Sequence, residues 1–153
     1  MAVYFFDSSA LVKRYAQEMG SDWIVALTEP SAGHSLYIAR MTAVEVISAL
    51  SRRQRGGSIS ATDASTAMAA FRHDLTHQYR VIEMTPAVIT QAMELAETHG
   101  LRGYDAVQLS AALVVQKMRE TLGLSALELV SADHDLNDAA TAEKLTVDNP
   151  NSH

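Results

Sequence analysis

The sequence predicts an α/β domain: a central, mainly parallel β-sheet of four or five short strands flanked by helices. Three observations predict it. Short apolar runs alternate along the chain with longer stretches of helical periodicity. Capping and turn residues punctuate the borders between them. Strands separated by helices, rather than by tight turns, are the pattern of a parallel sheet, whose strands need crossover connections.

In chain order, Val3-Tyr-Phe-Phe6 reads as a short buried strand bounded by Asp7-Ser8-Ser9. Helices are predicted over 9–18 and 21–28, then a loop with Pro30 and Gly33, then a second strand over Ser35–Ala39. From Thr42 to Arg55 the apolar positions Ala43, Val46, Ile47 and Leu50 recur at i, i+3, i+4 and i+7, an amphipathic helix ended by Gly56-Gly57. Residues 60–77 form the next helix with Ser60 as its cap, and Tyr79–Met84 a third strand. Pro86 opens a helix that runs to His99-Gly100. Tyr104 to Arg119 is apolar enough to be a buried helix. Leu127–Ser131 is a fourth strand, 135–143 a helix, and Leu145-Thr146-Val147 a short last strand. No repeat, low-complexity tract or linker interrupts the series, so one domain over 1–147 is expected, with a frayed tail at 148–153.

Composition narrows the function classes. A chain of 153 residues, 48% hydrophobic and 20% charged, is long enough to bury a sizeable core. It has no cysteine, which excludes disulfides, thiolate nucleophiles and cysteine metal sites. The first residues lack a basic segment and their apolar run stops at Asp7, unlike a signal peptide. No run approaches the roughly 18 apolar residues of a membrane span, so a cytoplasmic protein is expected. The net charge of −6 points away from nucleic acid, whose phosphates call for Lys and Arg. Acids gathered around a divalent cation can nevertheless coexist with a local basic patch.

Two acids stand at strand ends, where an open parallel sheet gathers functional groups, and two more stand on helices. Asp7 follows the first strand and Asp133 the fourth, while Glu45 lies within the 42–55 helix and Asp105 opens the 104–119 helix. Asp7, Asp105 and Asp133 each have a plain alternative as helix caps, worth about 1 kcal/mol. Glu45 cannot cap, and its alternative is a solvated flank position.

The wording around the acids carries more. Val-Tyr-Phe-Phe-Asp7-Ser-Ser-Ala-Leu-Val-Lys-Arg-Tyr, Thr42-Ala-Val-Glu45-Val-Ile-Ser-Ala-Leu, Leu101-Arg-Gly-Tyr-Asp105-Ala-Val-Gln-Leu-Ser-Ala-Ala and Leu129-Val-Ser-Ala-Asp133-His-Asp-Leu follow one another in that order. They resemble the four acidic motifs of the PIN-domain nucleases, and in particular the VapC-like toxins of toxin–antitoxin (VapBC) systems. The fourth motif departs mildly, with Ser131 where Thr is common, and it offers both Asp133 and Asp135; Asp133 is closer to the strand end.

The resemblance implies a PIN-like fold and a metal-dependent endoribonuclease. It implies Asp7 and Asp105 as principal ligands of Mg²⁺, with Mn²⁺ as a substitute, Glu45 completing the shell and Asp133 assisting a second ion. Ser8 or Ser9 would hydrogen-bond a ligand carboxylate or a phosphate, although turn chemistry explains them equally well. An all-oxygen donor set suits these hard cations, which activate water and stabilise a leaving oxygen. The resemblance further implies an RNA substrate, a small VapB-like antitoxin and a homodimer. A PIN nuclease of general RNA processing, or a non-catalytic PIN-like module binding RNA or antitoxin, would share these motifs.

Arg52 lies seven residues after Glu45, about two turns along the same stripe, where a neighbouring RNA phosphate could reach it. A solvated helix end explains Arg52, Arg53 and Arg55 as well. Lys13 and Arg14 are weaker candidates of the same kind. His73 and His77 have zinc-helix spacing but no H-E-x-x-H and no third ligand. His134 reads as a loop residue. A haloacid-dehalogenase-type phosphatase would need D-x-D, and position 9 is Ser. A receiver domain would need an acidic pair near the end of the first strand, where Asp7 is followed by two serines.

Overall fold

The computed structural model describes residues Met1–His153. Five strands form one sheet: β1 (Val3–Phe6), β2 (Ser35–Ala39), β3 (Tyr79–Ile82), β4 (Glu128–Val130) and β5 (Thr146–Asp148), in the order β3-β2-β1-β4-β5. Every neighbouring pair is parallel, as the sequence predicts. The helices are α1 (Ser8–Tyr15), α2 (Ser21–Thr28), α3 (Arg40–Arg55), α4 (Ala61–His77), α5 (Pro86–His99), α6 (Gly103–Thr121) and α7 (His134–Ala142). None is long and apolar enough to cross a membrane.

Side-chain alternation along the strands supplies two cores. Phe6, Leu36, Ile38 and Val130 point to one face, where Leu11, Ile24, Val46, Leu50 and Phe71 of α1–α4 cover them. Phe5, Tyr37, Ala39 and Leu129 point to the other, against Ala92, Leu95, Leu109 and Leu136 of α5–α7. Right-handed crossovers explain the division. The chain steps from β1 to β2 to β3 in one direction, so α1–α4 share a face. It then returns across β1 to add β4 and β5 in the opposite direction, which sends α5–α7 to the other face. The two directions part beside β1, at the switch point where open parallel sheets form a crevice.

Local chemistry sets the element ends. The side chains of Asp7, Ser60, Thr85 and Asp133 accept backbone N–H bonds at the starts of α1, α4, α5 and α7. Gly100 ends α5 in the left-handed region at φ 65°. One boundary differs informatively from the expected 9–18 helix. α1 stops at Tyr15, and the Glu18 backbone N–H donates to Ser21 Oγ at 2.9 Å. The chain then turns through Gly20 at φ 83° into α2.

Residues 148–153, where a frayed tail is expected, carry regular structure and contacts. Asp148 completes β5, and Pro150–Ser152 forms a 3₁₀ turn with Pro150 buried. The His153 ring stacks on Trp23 with centroids 3.9 Å apart. These contacts with α2 are ones that strand and helix patterns do not register. Gly20 is the backbone's point of closest approach: a Cβ there would collide with the Pro150 carbonyl, and its φ already disfavours a side chain. Gly20→Ala is therefore expected to destabilise the protein by about 1–3 kcal/mol, as measured by urea unfolding.

Candidate active site

Asp7 is the first residue beyond β1, and its N–H extends the ladder to Val130 O at 3.1 Å, so it is fixed to both β1 and β4. Its carbonyl starts α1 by accepting from Ala10 and Leu11. The residue is 3% exposed, and Oδ2 accepts from Ser9 Oγ at 2.6 Å, Ser9 N at 3.3 Å and Ser131 Oγ at 3.3 Å. Ser9 Oγ also accepts from Ala132 N and Ser131 Oγ from Asp133 N, so the two hydroxyls tie the β1 and β4 loops together around one carboxylate. Ser131 keeps the hydroxyl that Thr would supply.

Glu45 projects from the second turn of α3, and its Oε1 accepts from Gln108 Nε2 at 2.7 Å. The same amide nitrogen donates to Thr42 Oγ1 at 2.7 Å, which bridges α6 to α3. This orientation leaves the buried Gln108 Oε1 without a partner. Asp105 sits in the first turn of α6, is 4% exposed, and its carboxylate engages in no hydrogen bond or ion pair. Asp133 caps α7 by accepting from Leu136 N at 2.9 Å through Oδ1.

These four acids come from four segments and line one cavity of about 620 Å³, with Ser8, Ser9, Lys13, Arg52, Arg53 and Tyr104 among its other walls. Capping and convergence are not exclusive, because a carboxylate has two oxygens. Asp7 caps through Oδ2 and Asp133 through Oδ1, and each keeps the other oxygen free. Asp135 does not join them; it faces a separate depression with His99 and Asp138. His134 is exposed, and neither it nor Arg55 lines the cavity. Arg14 turns away to bond Gln78 and Tyr79, while Lys13 faces in. His73 and His77 stack on the exposed face of α4, remote from the acids.

The repulsion that such a gathering implies is visible at Asp105. Burial and then the charges of Asp133, Asp7 and Glu45 push its carboxyl up to about 7 from an ordinary 3.8, against a weaker pull from Arg102. Burial also raises Asp7, opposed by the Ser9 hydrogen bonds, and Glu45, opposed by Gln108. No three of the chain's Asp, Glu or His side chains stand close enough together, as posed, to hold one metal ion. Like charges keep apart, and three of the four acids turn an oxygen to a protein donor instead. Yet every one of the four keeps at least one oxygen without a protein partner beside the cavity, in an oxygen-only donor set without thiol or imidazole. That chemistry fits Mg²⁺ or Mn²⁺.

A parallel α/β sandwich with these acids at the carboxyl end of its sheet defines a class, and the comparison with known families agrees. The PIN domain model matches residues 4–142, and the chain belongs to that family. Within it, the relatives are VapC proteins: Ribonuclease VapC45 of Mycobacterium tuberculosis (strain CDC 1551 / Oshkosh) is 33% identical over 115 residues, 75% of this chain and 78% of the relative. Among solved structures, PAE2754 from Pyrobaculum aerophilum superposes with a TM-score of 0.63 at 24% identity, over 99% of this chain and 91% of that one. VapBC2 from Rickettsia felis, bound to a DNA fragment from their promoter, gives 0.62 at 16% identity, over 96% and 98%.

Sequence reasoning missed Gln108 and Glu18. Gln108 carries a signal in retrospect: it is the one amide inside the apolar stretch from Ala106 to Val115, one turn after Asp105. Glu18 carries no such signal, because the pattern around it reads as the end of the 9–18 helix.

Two outcomes follow. A raised folded pKa means the folded state holds the extra proton between pH 4 and 7, so metal-free stability falls as pH rises through that window. Thermal melts in EDTA should drop by on the order of a few degrees from pH 5 to 8, and Asp105→Asn should flatten most of that drop. Gln108→Met keeps the volume but strips Thr42 and Glu45 of their donor. Urea unfolding should show a loss of about 1–3 kcal/mol.

Proposed function

We propose that this chain is a Mg²⁺- or Mn²⁺-dependent endoribonuclease, the toxin of a VapBC-type pair held inactive by its antitoxin. The observation that carries the reading is the convergence of Asp7, Glu45, Asp105 and Asp133 on one cavity at the switch point of the sheet. The VapC45 relative, itself named a ribonuclease, supports it.

In this reading Asp7 and Asp105 are the principal ligands, with Glu45 and Asp133 completing the set. The bound ion would activate the attacking water and stabilise charge on the leaving oxygen of the phosphodiester. The chain's own part is positional. Ser9 and Ser131 hold Asp7 by one oxygen and leave the other to the cavity. Gln108 does the same for Glu45, whose free oxygen is placed to orient a water. Asp105 has no protein hydrogen bond to break before it binds a cation, only the proton that its raised pKa retains near neutral pH.

An antitoxin fits two features. The acids attract a basic segment. Beside them, an apolar groove of about 280 Å³ runs between α3 and α4, with Phe71 and Leu75 on one wall and Ala43 and Ile47 on the other. Val44 lines both the groove and the acidic cavity, so one partner segment can span them. A homodimer is supported by the exposed stripe of Val114, Met118 and Leu122 along α6, with Met93 exposed on neighbouring α5.

The test is cleavage of total cellular RNA by purified, antitoxin-free protein with Mg²⁺, with Mn²⁺ and with EDTA. Discrete metal-dependent fragments are expected. Asp7→Asn and Asp105→Asn should stay folded and lose activity by at least about 100-fold. Adding the small protein encoded beside this chain should suppress cleavage. Fragments that persist in EDTA, or equally in either mutant, would overturn the assignment.

A further inference from the structure

The same cavity has a second, oppositely charged end. Lys13 on α1 and Arg52 and Arg53 on the last turns of α3 line it together with Glu18. Glu18 is clamped from both sides: Lys13 Nζ donates to Oε1 at 3.3 Å, and Arg53 Nε and Nη2 donate to Oε2 at 3.3 and 2.9 Å. Arg53 Nη1 donates to Ala49 O, so its guanidinium is spent on the protein.

Lys13 is different. Its side chain is 7% exposed, yet Glu18 is the one acceptor it has, and an ammonium carries three donors. A lysine this buried, lining the cavity with donors left over, offers them to whatever occupies it. Arg52 is exposed at the cavity rim, and no hydrogen bond or ion pair engages it. Two cations sharing one anion, with Arg52 beside them, leave this end net positive in a chain whose total is −6.

The geometry between the two ends is set by α3. Glu45, Ser48 and Arg52 follow at i, i+3 and i+7 and all line the cavity, so one helix face runs from the acids to the bases. Along the axis that is about 10 Å. We propose that Lys13 and Arg52 form a phosphate subsite that grips the RNA strand one phosphate or more away from the bond cleaved among the acids. Glu18 and Arg53 are positioning residues that hold the Lys13 ammonium toward the cavity. This rests on the ribonuclease reading, and it names the contact through which an acidic protein engages a polyanion.

The experiment uses the full chain and a fluorescein-labelled single-stranded RNA in EDTA, with binding followed by anisotropy at several KCl concentrations. Arg52→Gln, at an exposed position, should fold normally, weaken binding about tenfold, and lower the slope of log K against log salt by ~0.7, one phosphate contact. Lys13→Gln should do the same, and Mn²⁺ binding to Arg52→Gln, followed by paramagnetic resonance, should match the wild type. If the wild type cleaves RNA while Arg52→Gln and any folded Lys13 variant keep its affinity and salt slope, the subsite is overturned and the ribonuclease reading stands. If the wild type neither binds nor cleaves RNA, both are overturned. If the substitutions abolish binding of a glutamate-rich peptide but leave RNA binding untouched, the cluster belongs to an acidic protein segment, and the proposal is likewise overturned.

Discussion

Asp7 is a carboxylate held almost out of water at the point where β1, α1 and β4 meet. Burying such a group uncompensated would cost several kcal/mol. Here the Ser9 hydroxyl and backbone and the Ser131 hydroxyl hydrogen-bond one of its oxygens, while its own N–H and carbonyl extend the β1–β4 ladder and start a helix. The other acids are arranged about that fixed charge: Asp133 by the β4 loop that Ser131 and Ser9 tie down, and Asp105 by α6 across the crevice. Glu45 is set in place through Gln108, which reaches from α6 to α3. Replacing the serine pair by apolar residues would leave only the backbone N–H of residue 9 to answer that charge.

The cavity is electrically divided, so a net charge of −6 does not preclude a locally positive surface. Overall charge governs long-range encounter, but binding is decided by the field inside a cleft. Acids dominate at the end of the sheet, where burial and then their mutual repulsion raise Asp105, a repulsion that a divalent cation would relieve. Lys13, Arg52 and Arg53 dominate two helical turns along α3.

The acidic cavity and the apolar groove share a wall. Val44 is exposed between the acidic cavity and the apolar groove of α3 and α4, so a segment seated in the groove is led directly to the acids. Its exposure has no packing role within the chain, since its α3 neighbours Val46 and Leu50 carry the core.

Much of the architecture was legible from the sequence because it depends on local periodicity. Val3–Phe6, Ser35–Ala39 and the amphipathic run ending at Arg55 each report their own burial, and the capping residues Ser60, Thr85 and Asp133 report their own turns. The four acids were legible too, since the motifs around them are contiguous in the chain. What only the tertiary structure decided involves contacts between distant residues. That Asp133 rather than Asp135 faces the cavity depends on how α7 is rotated by its cap. Where residues 148–153 lie depends on Pro150 meeting Gly20 and His153 meeting Trp23. Gln108 and Glu18 gain their meaning from partners 63 and 35 residues away. Sequence pattern records which face of an element is buried; what that face touches is fixed by packing between elements, and that information is in no single segment.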